Sequence, residues 1–222
     1  MATLRQQPFD VGGDAHLPAA SHLNPEELTH GIRNLTSDEL VNFVRAYVQE
    51  RTPAAFSEMP LLWEAVRVWL ASRCGVHPRE IGLSGSSQLG YSIVESKSWA
   101  PFDRKKSDLD LFFVSSAQYA KVEAEARRFV ATNTDSPRYR DQAQTIGRLL
   151  QKGWVDVKHI PANHDLYPTV ATLLNDASIL IDRLKNHGFD LRPSSFRAYP
   201  SWLALSQWTK LSYKTLVGRA TQ

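Results

Sequence analysis

The stretch "IGLSGSSQLGYSIVESKSWAPFDRKKSDLDLFFVSS" occupies positions 81–116, from Ile81 to Ser116. A short apolar run stops at Gly85, Ser86 and Ser87, a basic stretch follows, and Asp108 and Asp110 then punctuate a second run of Leu, Phe and Val. That composition predicts two strands, one ending at Gly85 and one over 108–116. In a strand, residues two apart share a face, so Asp108 and Asp110 point one way and Leu109 and Leu111 the other. Two carboxylates at that spacing repel each other when both are charged and dry. Two readings compete. Either this is an edge strand showing its acidic side to water, or a divalent cation sits between the charges. Mg²⁺ (or Mn²⁺) takes oxygen ligands and keeps places for water and substrate phosphates.

A third apolar run, "WVDVKHI", spans Trp154 to Ile160, is closed by Pro161 and carries Asp156 as a lone carboxylate. If this third strand pairs beside the second, Asp108, Asp110 and Asp156 converge. Three carboxylates can hold two cations about 4 Å apart, the arrangement used for in-line displacement at phosphorus. Asp156 is then placed to take a proton from an attacking hydroxyl. Gly85-Ser86, at a strand end opening a helical turn, offers backbone N–H groups and a hydroxyl to an anion. Gly90 lets the backbone approach closely. An ordinary polar turn is the competing reading of the same residues.

Around these strands the pattern is helical. Asn24-Pro25-Glu26-Glu27 and Thr36-Ser37-Asp38-Glu39 predict helix starts. Helical spacing predicts further helices over 57–73 (stopped by Gly75), 117–133, 136–152 (Pro137 at its start, Gly153 past its end), 165–186 (closed by Gly188) and 200–217. The expected fold class is α/β or α+β, a small mixed sheet with N-terminal and C-terminal helices around it. The expected organisation is a leader and helices over 1–56, a core over 57–164 and a helical region over 165–222. With 222 residues and 42% hydrophobic composition the chain can bury one substantial core. Its net charge of +3 makes no case for nucleic-acid binding by itself. The single cysteine, Cys74, forms no internal disulfide, which fits a reducing cytosol. No apolar run approaches the roughly 20 residues that span a membrane, and the first 25 residues lack an apolar signal-peptide centre. A cytoplasmic protein without a membrane segment is expected.

Gly85-Ser86, Asp108-Leu109-Asp110 and Asp156, in that order on successive strands, resemble the nucleotidyltransferase superfamily of DNA polymerase beta. More narrowly, "GSSQLGYSI", "SDLDLFFVS" and "SSFRAYPSW" resemble uncharacterised bacterial nucleotidyltransferase-like proteins associated with defence loci. The gap between Ser86 and Asp108 is longer than in minimal members. The resemblance implies a Mg²⁺-dependent transferase that moves a nucleoside monophosphate from a triphosphate such as ATP to a hydroxyl, with pyrophosphate release. Ser86 would contact the phosphates, Asp108 and Asp110 would bind both metals, and Asp156 would complete the metal that activates the acceptor. Lys210, Ser212, Tyr213 and Lys214, in "WTKLSYK", sit where related enzymes hold the triphosphate tail; a solvated helix face is the alternative. The acceptor would be an oligonucleotide or second nucleotide, giving a linear or cyclic signal in anti-phage defence, with an effector encoded nearby. It could instead be a partner protein such as a toxin, and a catalytically inactive nucleotide-binding module is the remaining alternative.

Basic residues Lys97, Arg104, Lys105 and Lys106 precede the aspartates, with Trp99 and Phe102 as candidate stacking faces. Read blandly, they form a solvated loop. Lys158 shares the face of Asp156, His159 and His164 are too loosely spaced for a zinc pair, and Trp202 and Trp208 read as core residues of the last helix.

Overall fold

The computed structural model describes residues 22–33, 37–45, 49–94, 97, 99–192 and 195–220. The expected N-terminal leader and Thr36 of the second capping box lie outside the described residues. The fold is α+β, as the pattern of runs predicts.

Helix α1 (Pro25–Arg33) begins at the expected place, because Asn24 Oδ1 accepts the Glu27 N–H at 2.9 Å and Glu27 Oε2 accepts the Asn24 N–H at 2.8 Å. Helix α2 spans Ser37–Val44. Helix α3 (Pro60–Cys74) starts three residues later than its periodicity predicts, since Pro60 takes the first helical position, where no N–H is needed. Gly75 closes it in the left-handed conformation at φ 66°. Strand β1 (Ile81–Ser84), the one-turn helix α4 (Ser86–Leu89) and strand β2 (Asp110–Val114) follow.

Helices α5 (Ser116–Asn133) and α6 (Arg140–Gln151) come next. Pro137 lies in the turn before α6 rather than inside it. Strand β3 is only Val155–Asp156, much shorter than the apolar run predicts. The Asp156 carboxylate accepts the Lys158 N–H at 3.3 Å and turns the chain into a 3₁₀ turn over Val157–His159. Helix α7 (Pro168–Leu184) is capped from a distance: the buried Glu125 of α5 accepts the Thr169 and Val170 N–H groups, each at 2.9 Å. A carboxylate at a helix N-terminus satisfies orphan donors and complements the dipole. Strand β4 (Phe196–Tyr199) and helix α8 (Trp202–Ala220) end the described chain.

The sheet order is β1-β2-β4-β3. β1 runs antiparallel to β2, β4 parallel to β2, and β3 antiparallel to β4. The third predicted strand therefore does not pair beside the second. β4, from the region expected to be purely helical, stands between them.

One sheet face is wholly apolar. Ile81 and Leu83, Leu111 and Phe113, Phe196 and Ala198, and Val155 merge with α3, α5, α6 and α7 into the main core. A small second core, built from Leu28 and Ile32 of α1, Leu40 and Val44 of α2, Leu89, Tyr91 and Tyr213, fixes the N-terminal helices against α8.

Candidate functional site

Register decides what the opposite sheet face carries. Ser84 pairs with Asp110, Gly82 with Phe112, Phe112 with Arg197, and Arg197 with Asp156. Paired residues share a face, so Ser84, Asp110, Arg197 and Asp156 lie together, with Phe112, Tyr199 and Trp154 beside them. The charges in apolar strands belong to a two-faced sheet. Asp108 stands apart from this row: it forms an isolated bridge with Arg192 before β2 begins. The Leu111 N–H donates both to Ser195 O (3.0 Å) and to Leu109 O (3.1 Å), so the chain bends at Asp110.

Arg197 is the centre of the polar row. Its Nη1 donates to Ser84 Oγ at 2.9 Å and its Nη2 to Asp110 Oδ1 at 3.4 Å, and its Nε lies 3.8 Å from Asp156 Oδ2. Burial acts to lower the pKa of the guanidinium, but Asp110, Tyr199 and Asp156 outweigh it and hold the group charged. Ser195 Oγ donates to Asp110 Oδ1 at 2.9 Å, and Lys158 Nζ lies 3.4 Å from Asp156 Oδ2. Burial raises the pKa of the neighbouring Tyr199 phenol, with the Arg197 cation opposing it.

Between this face and α8 lies a cavity of about 730 Å³, within the range of small-molecule sites. Leu205, Trp208, Thr209 and Ser212 of α8 line it at helical spacing, and the sheet supplies Ser84, Asp110, Phe112, Trp154, Arg197 and Tyr199. Trp154 stacks on Tyr199 with ring centres 5.8 Å apart and meets Trp208 at 4.9 Å, so one wall is aromatic. Among buried polar atoms on lining residues, Gln49 Nε2 and Trp154 Nε1 have no hydrogen-bond partner within the protein, whereas Arg197 Nε is turned toward Asp156 Oδ2 and Tyr199 interacts with the Arg197 guanidinium. Buried polar groups are normally satisfied. The cavity joins an aromatic wall to the polar side chains of Ser84, Asp110 and Arg197.

The predicted site residues divide. Gly85, Asp110, Ser212 and Tyr213 line the cavity. Tyr213 is buried, and burial pushes its phenol pKa well up, so it serves as wall and neutral donor. Ser86 opens α4 as expected, immediately beyond the lining Gly85. Gly85 itself has φ 67° and ψ −149°, and a Cβ there would come within 2.6 Å of Asp110 Oδ2. Gly90 closes α4 in the left-handed conformation at φ 90° and does not line the cavity. Ser212 Oγ donates back to Trp208 O at 3.4 Å, and Lys210 is half-buried off the lining; the Lys214 side chain lies outside the described residues. Asp108 faces Arg192, 3.4 Å away, and Asp156 is buried behind Arg197; neither lines the cavity.

The basic loop turns elsewhere. Arg104 bridges Glu58 at 3.0 Å and lies over Phe189, Lys106 sits 4.0 Å from Asp103, and Trp99 packs on Tyr91. Trp202, read as core, is 40% exposed because it begins α8 at the rim. Arg197, Trp154 and Tyr199 are the residues the sequence reading left unassigned. The clue to the first and last was the alternation Phe196-Arg197-Ala198-Tyr199.

Among the described residues, no three His, Cys, Asp or Glu side chains gather as a metal-binding group. The arrangement does not fit a three-carboxylate centre for two cations: the Arg197 guanidinium meets both Asp110 and Asp156, and Asp108 stands apart facing Arg192. Nor does any helix among the described residues have the length and apolarity to cross a membrane. Comparisons with protein-family models, with curated proteins and with solved structures find no match.

Proposed function

We propose that the chain binds a nucleoside triphosphate in the cavity and transfers its nucleoside monophosphate to a hydroxyl. The observation that supports this reading is one cavity lined both by the aromatic side chains of Trp154, Tyr199 and Trp208 and by Gly85, Asp110 and Arg197. Trp154 and Trp208 suit the flat face of a base. Arg197 suits a phosphate oxygen, which a planar fork of donors matches well. The glycine turn admits a phosphate close to backbone N–H groups. In the transfer, the acceptor oxygen bonds to the α-phosphorus as the bond from that phosphorus to the bridging oxygen breaks. Pyrophosphate leaves with the electron pair, and the hydroxyl proton passes to the Asp110 carboxylate, the acid group that lines the cavity. Magnesium enters as part of the substrate, on the triphosphate.

Arg197 between Asp110 and Asp156 favours a second reading, nucleotide binding without turnover. One experiment separates the two. The protein is incubated with each α-labelled nucleoside triphosphate and Mg²⁺ or Mn²⁺, and tryptophan quenching and pyrophosphate are followed together. Quenching with pyrophosphate release that disappears in Asp110→Asn supports transfer. Quenching without release supports the binding module, and no quenching by any of the four triphosphates rejects both.

A further inference from the structure

The cavity has two ends, because its lining comes from two separate cores. Leu89 and Tyr213, with Ile93 packed against them, belong to the small core. Trp154 and Tyr199, with Trp208 packed against them, belong to a cluster on the sheet face. Trp208 and Tyr213 stand five residues apart on α8, which separates the two ends by roughly 7–8 Å along the helix. Asp110 lies between them and presents two different oxygens. Its Oδ1 accepts from Ser195 at 2.9 Å and from Arg197 at 3.4 Å, whereas its Oδ2 lies against Gly85, at the turn leading into Leu89.

The loop after α4 supplies the outer wall of the small-core end. It is pinned at its base: the Phe102 N–H donates to Gly90 O and the Ser92 N–H to Ala100 O, each at 2.8 Å, and Trp99 packs on Tyr91. The pinned loop sets Ile93 and Val94 on the cavity, with Val94 56% exposed at the rim. Among the described residues, Asp110 and Arg197 are the only charged side chains that line the space. With Arg197 engaged by the triphosphate, a second phosphate-bearing molecule meets no cation at the small-core end, and burying an unpaired charge is costly. An apolar body gains by leaving water there.

We propose that the small-core end binds an uncharged small alcohol, aliphatic or aromatic, and that this alcohol is the acceptor of the transfer. The proposal rests on the reading of the cavity as a triphosphate site and names the acceptor which that reading leaves open. The apolar body lies on Leu89, Ile93, Val94 and the Tyr213 ring, and the hydroxyl faces Asp110 Oδ2. The alcohol oxygen bonds to the α-phosphorus as the bond to the bridging oxygen breaks. Pyrophosphate leaves with the electron pair, the hydroxyl proton passes to Oδ2, and the product is a phosphodiester joining nucleoside and alcohol.

The test titrates the full chain with phenethyl alcohol and with cyclohexanol by calorimetry, with glycerol as the polar control. The same alcohols are then added to the chain with α-labelled triphosphates and Mg²⁺, and labelled products are separated by chromatography. Both apolar alcohols are expected to bind at least tenfold more tightly than glycerol, and the mobility of the labelled product is expected to follow the alcohol supplied. Val94→Asp is expected to weaken phenethyl alcohol about tenfold, the equivalent of one lost apolar side-chain contact, and Val94→Ile to bind it at least as tightly as the wild type. Val94 is exposed, so both variants should melt with the wild type. Glycerol binding as tightly as the apolar alcohols, wild-type affinity in Val94→Asp, or no labelled alcohol when both ligands bind overturns the proposal. Triphosphate quenching without alcohol binding also overturns it and leaves the nucleotide reading standing. Alcohol binding without any triphosphate quenching removes the nucleotide reading and leaves the small-core end as a site for the alcohol alone.

Discussion

At the scale of a residue, Arg197 has the most to lose. Its guanidinium meets Ser84, Asp110 and Asp156 from one position, and its side chain is 20% exposed while that of Asp156 is 4% exposed. Removing one partner of a buried ion pair leaves a charge in low dielectric and costs about 3–5 kcal/mol, far above the value of a surface pair. Lys158 still faces Asp156 and offsets part of that penalty. Arg197→Met is therefore expected to destabilise the chain by about 3 kcal/mol in urea unfolding. Adding Asp156→Asn should recover part of the loss, because the stranded charge goes with it. Strict additivity of the two changes, or a loss below about 1 kcal/mol for the single variant, would show that the pair is not a buried unit. Arg197→Lys should behave like Met for ligand binding, since an ammonium cannot reproduce the fork that reaches two strands at once. Cys74 marks the opposite case: burial pushes its thiol up to about 12, so it stays protonated as a core side chain.

At the scale of an element, the turn from β1 into α4 is decided by one glycine. Gly85 holds a backbone conformation at φ 67° and ψ −149° that side chains other than glycine adopt at a cost of roughly 1–3 kcal/mol. A methyl group would also press on Asp110 Oδ2. Gly85→Ala is expected to lower stability by about that amount and to weaken triphosphate binding more than tenfold, read by thermal melting and by tryptophan quenching. Unaltered quenching in this variant would place the phosphates elsewhere. This turn was legible in the sequence, as were α1, the close of α3, the alternation from Asp110 onward and the α+β class, because each has a local cause: a cap, a glycine, an alternation; the shared face expected for Asp108 and Asp110 was not, since the chain bends at Asp110. β4 was not legible. Four residues between Pro193 and Pro200 hold too short an alternation to stand out, and their partners in β2 lie some eighty residues back in the chain. With β4 went the order of the sheet, so of the three aspartates expected around shared cations Asp110 and Asp156 meet Arg197, and Asp108 meets Arg192. A lone carboxylate in a strand announces a partner without saying whether it is a metal or a guanidinium.

At the scale of the whole molecule, the region after residue 164 is part of the central sheet rather than a helical annex. Strand β3 is paired to the sheet through β4, and β2 takes β4 as its parallel neighbour. Phe196 and Ala198 enter the main core, Tyr199 and Leu205 cover the other face, and Tyr213 closes the small core with the N-terminal helices. Deleting a single buried Phe side chain costs about 3–5 kcal/mol. Loss of all these side chains together exceeds the whole stability of a typical domain, about 5–15 kcal/mol. A chain ending at Leu191 is accordingly expected to keep helical far-ultraviolet dichroism from α3, α5 and α7 while losing a cooperative thermal transition and all triphosphate quenching. Adding the 192–222 peptide in trans should restore part of the transition, since the slot between β2 and β3 offers the hydrogen bonds and the apolar face that β4 normally fills. A truncated chain that melts cooperatively within a few degrees of the full one would mean that β1, β2 and the helices fold without their central strand. The sheet face that carries Asp110 would then be assembled before Arg197 arrives, and the arginine would be an addition to the site rather than its keystone.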